Sequence, residues 1–246
     1  MEKYFLGIEV EINHHCNKAC SYCPNSLSKR KETGHFSDEL FELLLSQLQD
    51  INYKGRVSFH FYNEPLLSPN LEEYVYLTKS KLPETYIDIF TNGTLLTEKR
   101  FRKLIEAGVD KFTVTKHENS KRYVFDETYK NLSDEDKKAV KYQQHEKLIF
   151  TNRGGILDGV GFHKKDPPFA LPCFIPMSSL VVTVDGNIIP CYEDFDQKNE
   201  MGNIKDTHIK DIWNSEGYRH FRNSLKEGRR AMFDVCKTCN NLNIIQ

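Results

Sequence analysis

Seven cysteines divide into a group of three and a group of four. Cys16, Cys20 and Cys23 form a C-x3-C-x2-C run, while Cys173, Cys191, Cys236 and Cys239 are spread over the last third of the chain and end in a C-x2-C pair. An odd number does not close into a disulfide framework, so both groups read first as metal ligands. Three thiolates can hold three irons of a 4Fe–4S cluster. The fourth iron then keeps an open position, which is what a metal needs to bind a substrate directly. A zinc site completed by His14 or His15, or a redox thiol pair, is the alternative for this group. Four thiolates saturate either one 4Fe–4S cluster or one tetrahedral zinc, and spacing alone does not choose between them. A saturated cluster cannot bind substrate through iron, which leaves it electron transfer or structure.

The elements that must position these residues alternate along the chain. Strand patterns occupy 4–12, 56–61, 85–93, 109–115 and 147–152, and helical patterns occupy 36–51, 69–82 and 96–108. Ser37 and Asp38 suit a helix start, Pro69 a first turn and Gly108 a stop. Such alternation implies parallel βαβ units. The first cysteine run follows the first strand, Tyr62-Asn63-Glu64-Pro65 ends the second, and Thr91-Asn92-Gly93 ends the third. Together these motifs define one face, at the carboxyl ends of the strands, where such folds put their ligands. The segment 120–146 is charged and weakly periodic, with an exposed helix expected over 133–147. Five strands are too few for a closed eight-stranded barrel, so the expected fold is α/β, an open partial β/α barrel. After the Pro-rich stretch 166–173 come a β-hairpin over 180–191 around Asp185-Gly186, an amphipathic helix over 209–228 and the closing cysteine pair. The expected division is a barrel over 1–168 and a small domain over 169–246.

Bulk properties exclude several classes. The chain has 246 residues, 34 basic and 35 acidic, for a net charge of −1. Without a basic excess to neutralise phosphates, no nucleic-acid partner is expected. No apolar run of membrane-spanning length appears, so no membrane role is expected. The opening MEKYFLGIEVEIN lacks the apolar core of a signal peptide, which predicts a cytoplasmic location.

The C-x3-C-x2-C run behind a strand, with NEP and TNG at the next two strand ends, resembles the radical S-adenosylmethionine superfamily. The hairpin before Cys191 and the terminal cysteine pair resemble its twitch domain, a half-size relative of the SPASM domain. The resemblance implies S-adenosylmethionine, two 4Fe–4S clusters (one on each cysteine group) and a flavodoxin- or ferredoxin-type reductant. It implies that Tyr22 lies against the adenine, that Asn63, Glu64 and Pro65 receive the methionine ammonium, and that Thr91 and Asn92 reach the methionine or ribose.

Longer stretches narrow the resemblance: SKRKETG (28–34), FHFYNEPLL (59–67), TNGTLLTEKR (91–100), NRGGILD (152–158), VVTVDGNIIPCYEDF (181–195), MGNI (201–204), DIW (211–213) and CKTCNN (236–241). They are similar to the radical S-adenosylmethionine dehydrogenases of 2-deoxystreptamine aminoglycoside biosynthesis, the 2-deoxy-scyllo-inosamine dehydrogenase family. That similarity implies oxidation of one secondary alcohol of an aminocyclitol or related polyol to a ketone, the second cluster taking an electron. It places Tyr62, Arg153, Tyr192 and Glu193 on the substrate. Arg153 would stabilise oxyanion charge, and Glu193 or His117 would supply acid–base chemistry. Asn63 stands where the family's motif usually has glycine, and Phe90 where a tyrosine is expected. Thr94-Leu95 and Lys116-His117-Glu118 also depart from the pattern. The competing reading keeps the clusters but epimerises a sugar carbon or modifies a peptide. Epimerisation calls for a hydrogen donor, often cysteine, and none of the seven is spare.

Overall fold

The computed structural model describes residues 4–27, 34–117, 120, 122–157 and 170–242. Most of the SKRKETG stretch, Glu118, Asp158 and the expected boundary at 168/169 lie outside the described residues.

Strands β1 (Gly7–Val10), β2 (Arg56–Ser58), β3 (Tyr86–Thr91), β4 (Lys111–Lys116) and β5 (Val140–Gln144) alternate with helices. The helices are α1 (Asp38–Asp50), α2 (Leu71–Lys81), α3 (Glu98–Ala107), α4 (Val124–Asn131) and α5 (Asp134–Lys138). Next come α6 (Ile175–Ser178), the hairpin strands β6 (Ser179–Val182) and β7 (Ile188–Ile189), then α7 (Ile209–Asn214), α8 (Glu216–Lys226) and α9 (Asp234–Thr238). Among the described residues the seven strands form one open sheet in the order β5-β4-β3-β2-β1-β6-β7, parallel except for β7.

Local chemistry sets the element ends. Ser37 caps α1 by accepting from the Leu40 N–H, and Thr97 caps α3 by accepting from the Arg100 N–H. Gly108 ends α3 at φ 116, a left-handed conformation that favours glycine. On β1, Ile8 and Val10 join the main apolar core with Leu40, Phe41 and Leu44 of α1, while Glu9 takes the opposite face.

Three expectations are corrected. The fifth strand is 140–144, not 147–152, and α5 covers only 134–138 of the expected helix 133–147. Val140 and Tyr142 pack on the core while the strand's other residues stay partly exposed, so this edge strand lacks the apolar run that 147–152 displays. Leu148, Ile149 and Phe150 instead form a loop, and Phe150 packs on Tyr22. The expected helix 209–228 breaks at Ser215 (φ −58, ψ 151), which leaves α7 and caps α8. Helix α4 arises within a stretch whose periodicity is weak. Strand β6 of the hairpin pairs in parallel with β1, from Gly7 opposite Ser179 to Val10 opposite Val182.

The inner face of the sheet carries charge. Glu9 Oε1 lies 2.6 Å from Arg56 Nη2 and Glu9 Oε2 lies 2.9 Å from His60 Nε2. Burial alone would raise the Glu9 carboxyl, but His60 and Arg56 outweigh it and lower it from 4.5 to about 2. An unfolded glutamate takes its proton near 4.5, so the network stabilises the fold fully above that pH and loses its contribution as pH falls toward 2. Glu9→Gln leaves the Arg56 charge unpaired and should lower stability at pH 7 by roughly 3 kcal/mol in anaerobic urea unfolding. The same variant should flatten the loss of stability between pH 4.5 and 2; an unchanged acid limb would contradict the assignment.

Candidate active site between the two cysteine groups

The loop after β1 holds Cys16, Cys20 and Cys23, all partly buried. The Cys23 N–H donates to Cys20 O at 2.9 Å, and a 3-10 turn, Pro24–Ser26, follows. Asn25 Nδ2 from that turn donates to Tyr62 O at 2.5 Å. From the end of β3, Asn92 Nδ2 donates to Asn17 Oδ1 at 2.8 Å and contacts Cys16 Sγ at 3.9 Å. Asn17 Nδ2 donates to Thr94 Oγ1 at 2.8 Å. The cysteine loop is thereby stitched to the ends of β2 and β3. Burial raises the Cys16 thiol to about 11; Glu64, Cys23 and Cys20 add to the rise against a backbone hydrogen bond at Lys18. Thiols that oppose each other's ionisation fit a cationic iron centre, which deprotonates the sulfurs it binds.

Glu64 is almost fully buried, and its carboxylate is occupied. Oε1 accepts from Thr91 Oγ1 at 2.6 Å and from the Leu66 N–H at 3.1 Å; Oε2 accepts from the Asn92 N–H at 2.7 Å. Burial pushes its carboxyl up, while these three donors oppose the rise. The group clips the end of β2 to the end of β3, and Pro65 opens the 3-10 turn Pro65–Leu67 behind it. Asn63 braces its own turn: Oδ1 accepts from the Phe61 N–H at 2.8 Å and Nδ2 donates to Phe59 O at 3.3 Å. Tyr22 and His117 meet each other, the Tyr22 hydroxyl lying 2.6 Å from His117 Nδ1. The Tyr22 ring stacks on His145 at 5.8 Å and packs on Phe150 at 4.4 Å. His117 is therefore engaged with this aromatic group.

Tyr62, Arg153, Tyr192 and Glu193 do converge. The Tyr62 hydroxyl donates to Tyr192 O at 2.8 Å, and the Arg153 guanidinium carbon lies 5.9 Å from the Tyr62 ring centre. Arg153 Nη1 is 3.8 Å from Glu193 Oε1. Burial opposes the Arg153 charge, but Tyr62 and Glu193 outweigh it and hold the guanidinium protonated. Its Nε is a buried donor with no hydrogen-bond partner among the described residues. Thr151 Oγ1 donates toward both Glu193 oxygens, at 3.0 and 2.9 Å, and Asn241 Nδ2 donates to Oε1 at 2.8 Å. Beneath them Phe61, Tyr62, Val181, Ile189 and Phe195 form a separate apolar cluster that touches Cys23, Ile156 and Tyr192. This cluster joins the first cysteine loop to the C-terminal unit.

Arg153 is positioned by an unusual turn. It has φ 49, and Gly154 and Gly155 follow at φ 66 and 92. A Cβ on Gly154 would meet Val235 Cγ1 at 2.6 Å and Glu193 O at 2.9 Å, so only glycine allows this approach. Asn152 and Asn240 exchange backbone-to-side-chain hydrogen bonds at 2.7 and 3.1 Å, which locks the turn against the last cysteine pair.

Cys173, Cys191, Cys236 and Cys239 line one cavity. Among the described residues no three Cys, His, Asp or Glu side chains converge tightly enough for a single metal ion. Burial raises the Cys236 thiol to about 12 and pushes the Cys191 and Cys239 thiols well above their ordinary value. Two backbone amides point at sulfur: Glu193 N–H to Cys191 Sγ and Asn241 N–H to Cys239 Sγ, both at 3.4 Å.

Sequence reasoning misses Asn17, Thr94, Thr151 and Asn241. Only Asn241 carries a local signal, its place two residues after the final cysteine. Thr91 is the most exacting support of the first loop. Thr91→Val removes one donor from the buried Glu64 carboxylate and should cost about 2 kcal/mol. Anaerobic chemical unfolding should show that loss, together with weaker S-adenosylmethionine binding in equilibrium dialysis; wild-type values for both would refute the clip.

Comparison with known proteins places this arrangement. A model of the radical SAM superfamily matches residues 10–142, and one of an iron–sulfur cluster-binding domain (SPASM) matches 173–240. S-adenosyl-L-methionine-dependent 2-deoxy-scyllo-inosamine dehydrogenase of Niallia circulans is 47% identical over 99% of this chain and 96% of its own. The crystal structure of BtrN in complex with AdoMet and 2-DOIA superposes with a TM-score of 0.92, at 47% identity, covering 99% of this chain and 96% of that one. AdoMet-bound anSMEcpe, 17% identical with a TM-score of 0.59 over 95% of this chain and 85% of its own, shares the fold alone. The chain with these two cysteine groups is therefore a member of the radical SAM superfamily, in the family of S-adenosyl-L-methionine-dependent 2-deoxy-scyllo-inosamine dehydrogenase.

Proposed function

We propose that this chain oxidises one secondary alcohol of an aminocyclitol, or of a closely related polyol, to a ketone. The observation that carries the reading is the convergence of Tyr62, Arg153, Tyr192 and Glu193 between the two cysteine groups, in a chain 47% identical to an aminocyclitol dehydrogenase. Cys16, Cys20 and Cys23 hold one 4Fe–4S cluster, and Cys173, Cys191, Cys236 and Cys239 hold a second. When bound, the clusters and S-adenosylmethionine supply hydrogen-atom abstraction and an electron acceptor. The backbone around Asn63, Glu64 and Pro65 receives the methionine end, and Asn92 and Tyr22 border the nucleoside.

The protein's own groups hold the alcohol. Glu193, fixed by Thr151 and Asn241, takes the substrate's ammonium or hydroxyl and accepts the hydroxyl proton at a carboxylate oxygen. Arg153 keeps its proton and, with its Nε a buried donor still unpartnered among the described residues, supplies positive charge to the oxygen that becomes the carbonyl. Tyr62 and the apolar cluster beneath it exclude water. Phe90 stacks on His60 at 4.4 Å on the inner face and presents no hydroxyl there, which favours a substrate less polar on that side. The barrel and auxiliary units divide near 168/169, which the matched segments 10–142 and 173–240 support. Seven cysteines free of disulfides suit a reducing cytoplasm and a flavodoxin- or ferredoxin-type electron donor. Among the described residues no helix is long and apolar enough to cross a membrane.

Anaerobic reconstitution should load about eight irons per chain. With the right aminocyclitol, 5′-deoxyadenosine and ketone should form in equal amounts. About four irons would remove the electron acceptor, and an inverted but unoxidised product would favour the epimerase reading. Glu193→Gln should lower kcat/KM roughly 100-fold. Phe90→Tyr should change the ratio of kcat/KM between two polyols about tenfold without changing iron content, as measured by ketone formation on each.

A further inference from the structure

Arg230 is among the largest fully buried side chains in the protein, 2% exposed, and it lines the cavity of the four C-terminal cysteines. Its guanidinium donates to three main-chain carbonyls: Leu171 at 2.9 Å, Pro172 at 3.2 Å and Asn241 at 2.5 Å. Among the described residues none of its partners is a carboxylate. The two acidic side chains at the same cavity are bound elsewhere. Glu193 is held by Thr151 and Asn241, and Asp194 accepts from the Lys198 and Asn199 N–H groups, both at 2.8 Å. A buried guanidinium facing only carbonyl dipoles is costly unless a negative group balances it.

We propose that Arg230 is the counter-charge of the auxiliary cluster and raises its reduction potential. This rests on reading the second cysteine group as a 4Fe–4S site. A cluster on four thiolates is anionic, and reduction adds one more negative charge beside the guanidinium. A fixed positive charge on the wall of the same cavity stabilises the reduced form more than the oxidised one. The same path reaches the Glu193 carboxylate. Arg230 binds Asn241 O, the Asn241 N–H donates to Cys239 Sγ, and Asn241 Nδ2 donates to Glu193 Oε1. Counter-charge, ligand sulfur and substrate-binding group therefore stand on one hydrogen-bonded route. Neither the C-x2-C spacing nor the substrate residues single out this arginine, whose charge has no role in the catalytic steps above.

The test is an EPR-monitored redox titration of the reconstituted holoenzyme with dithionite as electron source, on wild type, Arg230→Gln and Arg230→Lys. The cluster of the first group serves as internal reference. The account predicts that Arg230→Gln lowers the auxiliary midpoint potential, that Arg230→Lys stays near wild type, and that the reference potential moves in neither. An Arg230→Gln protein with both clusters and an unmoved auxiliary potential overturns it. If the Gln variant fails to retain the second cluster, Arg230→Lys decides: retention at a near-native potential supports the charge, and loss there too shows that only the guanidinium's carbonyl contacts mattered. Zinc in the second site of the wild type, with four irons instead of eight, overturns both this inference and the reading beneath it.

Discussion

Both edges of β1 are hydrogen-bonded in parallel, to β2 on one side and to β6 on the other. The site depends on this double pairing. β1 delivers the first cysteine loop and β2 delivers Tyr62 through Pro65. The hairpin that starts with β6 returns along β7 to Cys191, Tyr192 and Glu193. Without the β1–β6 register the C-terminal unit would be a tethered metal module. With it, Val181 and Ile189 pack against Phe61 and Tyr62, in a cluster that touches Cys23 of the first group, while Glu193 lines the cavity of the second. The RGG turn fastens the same joint from the other side, because Gly154 lets the backbone come close to Val235 and to Glu193 O.

Three buried carboxylates near this joint show how environment assigns roles. Glu9 is held ionised by Arg56 and His60 and stabilises the inner face. Glu64 is saturated by Thr91, Asn92 and Leu66 and serves as a clip between strand ends. Glu193 is oriented by Thr151 and Asn241, neutral donors, with Arg153 at 3.8 Å rather than in a close ion pair. The proposed oxidation uses that looser arrangement, because a tight bidentate pair with Arg153 would exclude an incoming hydroxyl or ammonium.

Much of this was legible in the chain because local signals were strong. The cysteine spacings, NEP and TNG at strand ends, Gly108 as a helix stop and Asp185-Gly186 as a hairpin turn each carry their own chemistry. What was not legible depended on tertiary context. The edge strand β5 alternates weakly because its outer residues meet solvent, while the more apolar 147–152 is spent on a loop that buries Phe150 against Tyr22. Ser215 reads as an ordinary helical residue, yet its backbone leaves the helix so that its hydroxyl can cap the next one. Glu64 stood out in the sequence within its NEP motif, but its saturation by Thr91 and Asn92 follows only from the strands being adjacent. Thr151, Asn241 and Arg230 lie 42, 48 and 37 residues from Glu193, and no periodicity links positions so far apart.

The central claim is that one carbinol carbon is held between an S-adenosylmethionine cluster and an electron-accepting cluster. A candidate aminocyclitol deuterated at a single carbinol carbon tests it directly, with the mass of the 5′-deoxyadenosine as the readout. The account predicts that one deuterium moves to 5′-deoxyadenosine for one of the labelled positions, and that the ketone appears at that carbon. Ketone formation with no deuterium transfer from any position would contradict it.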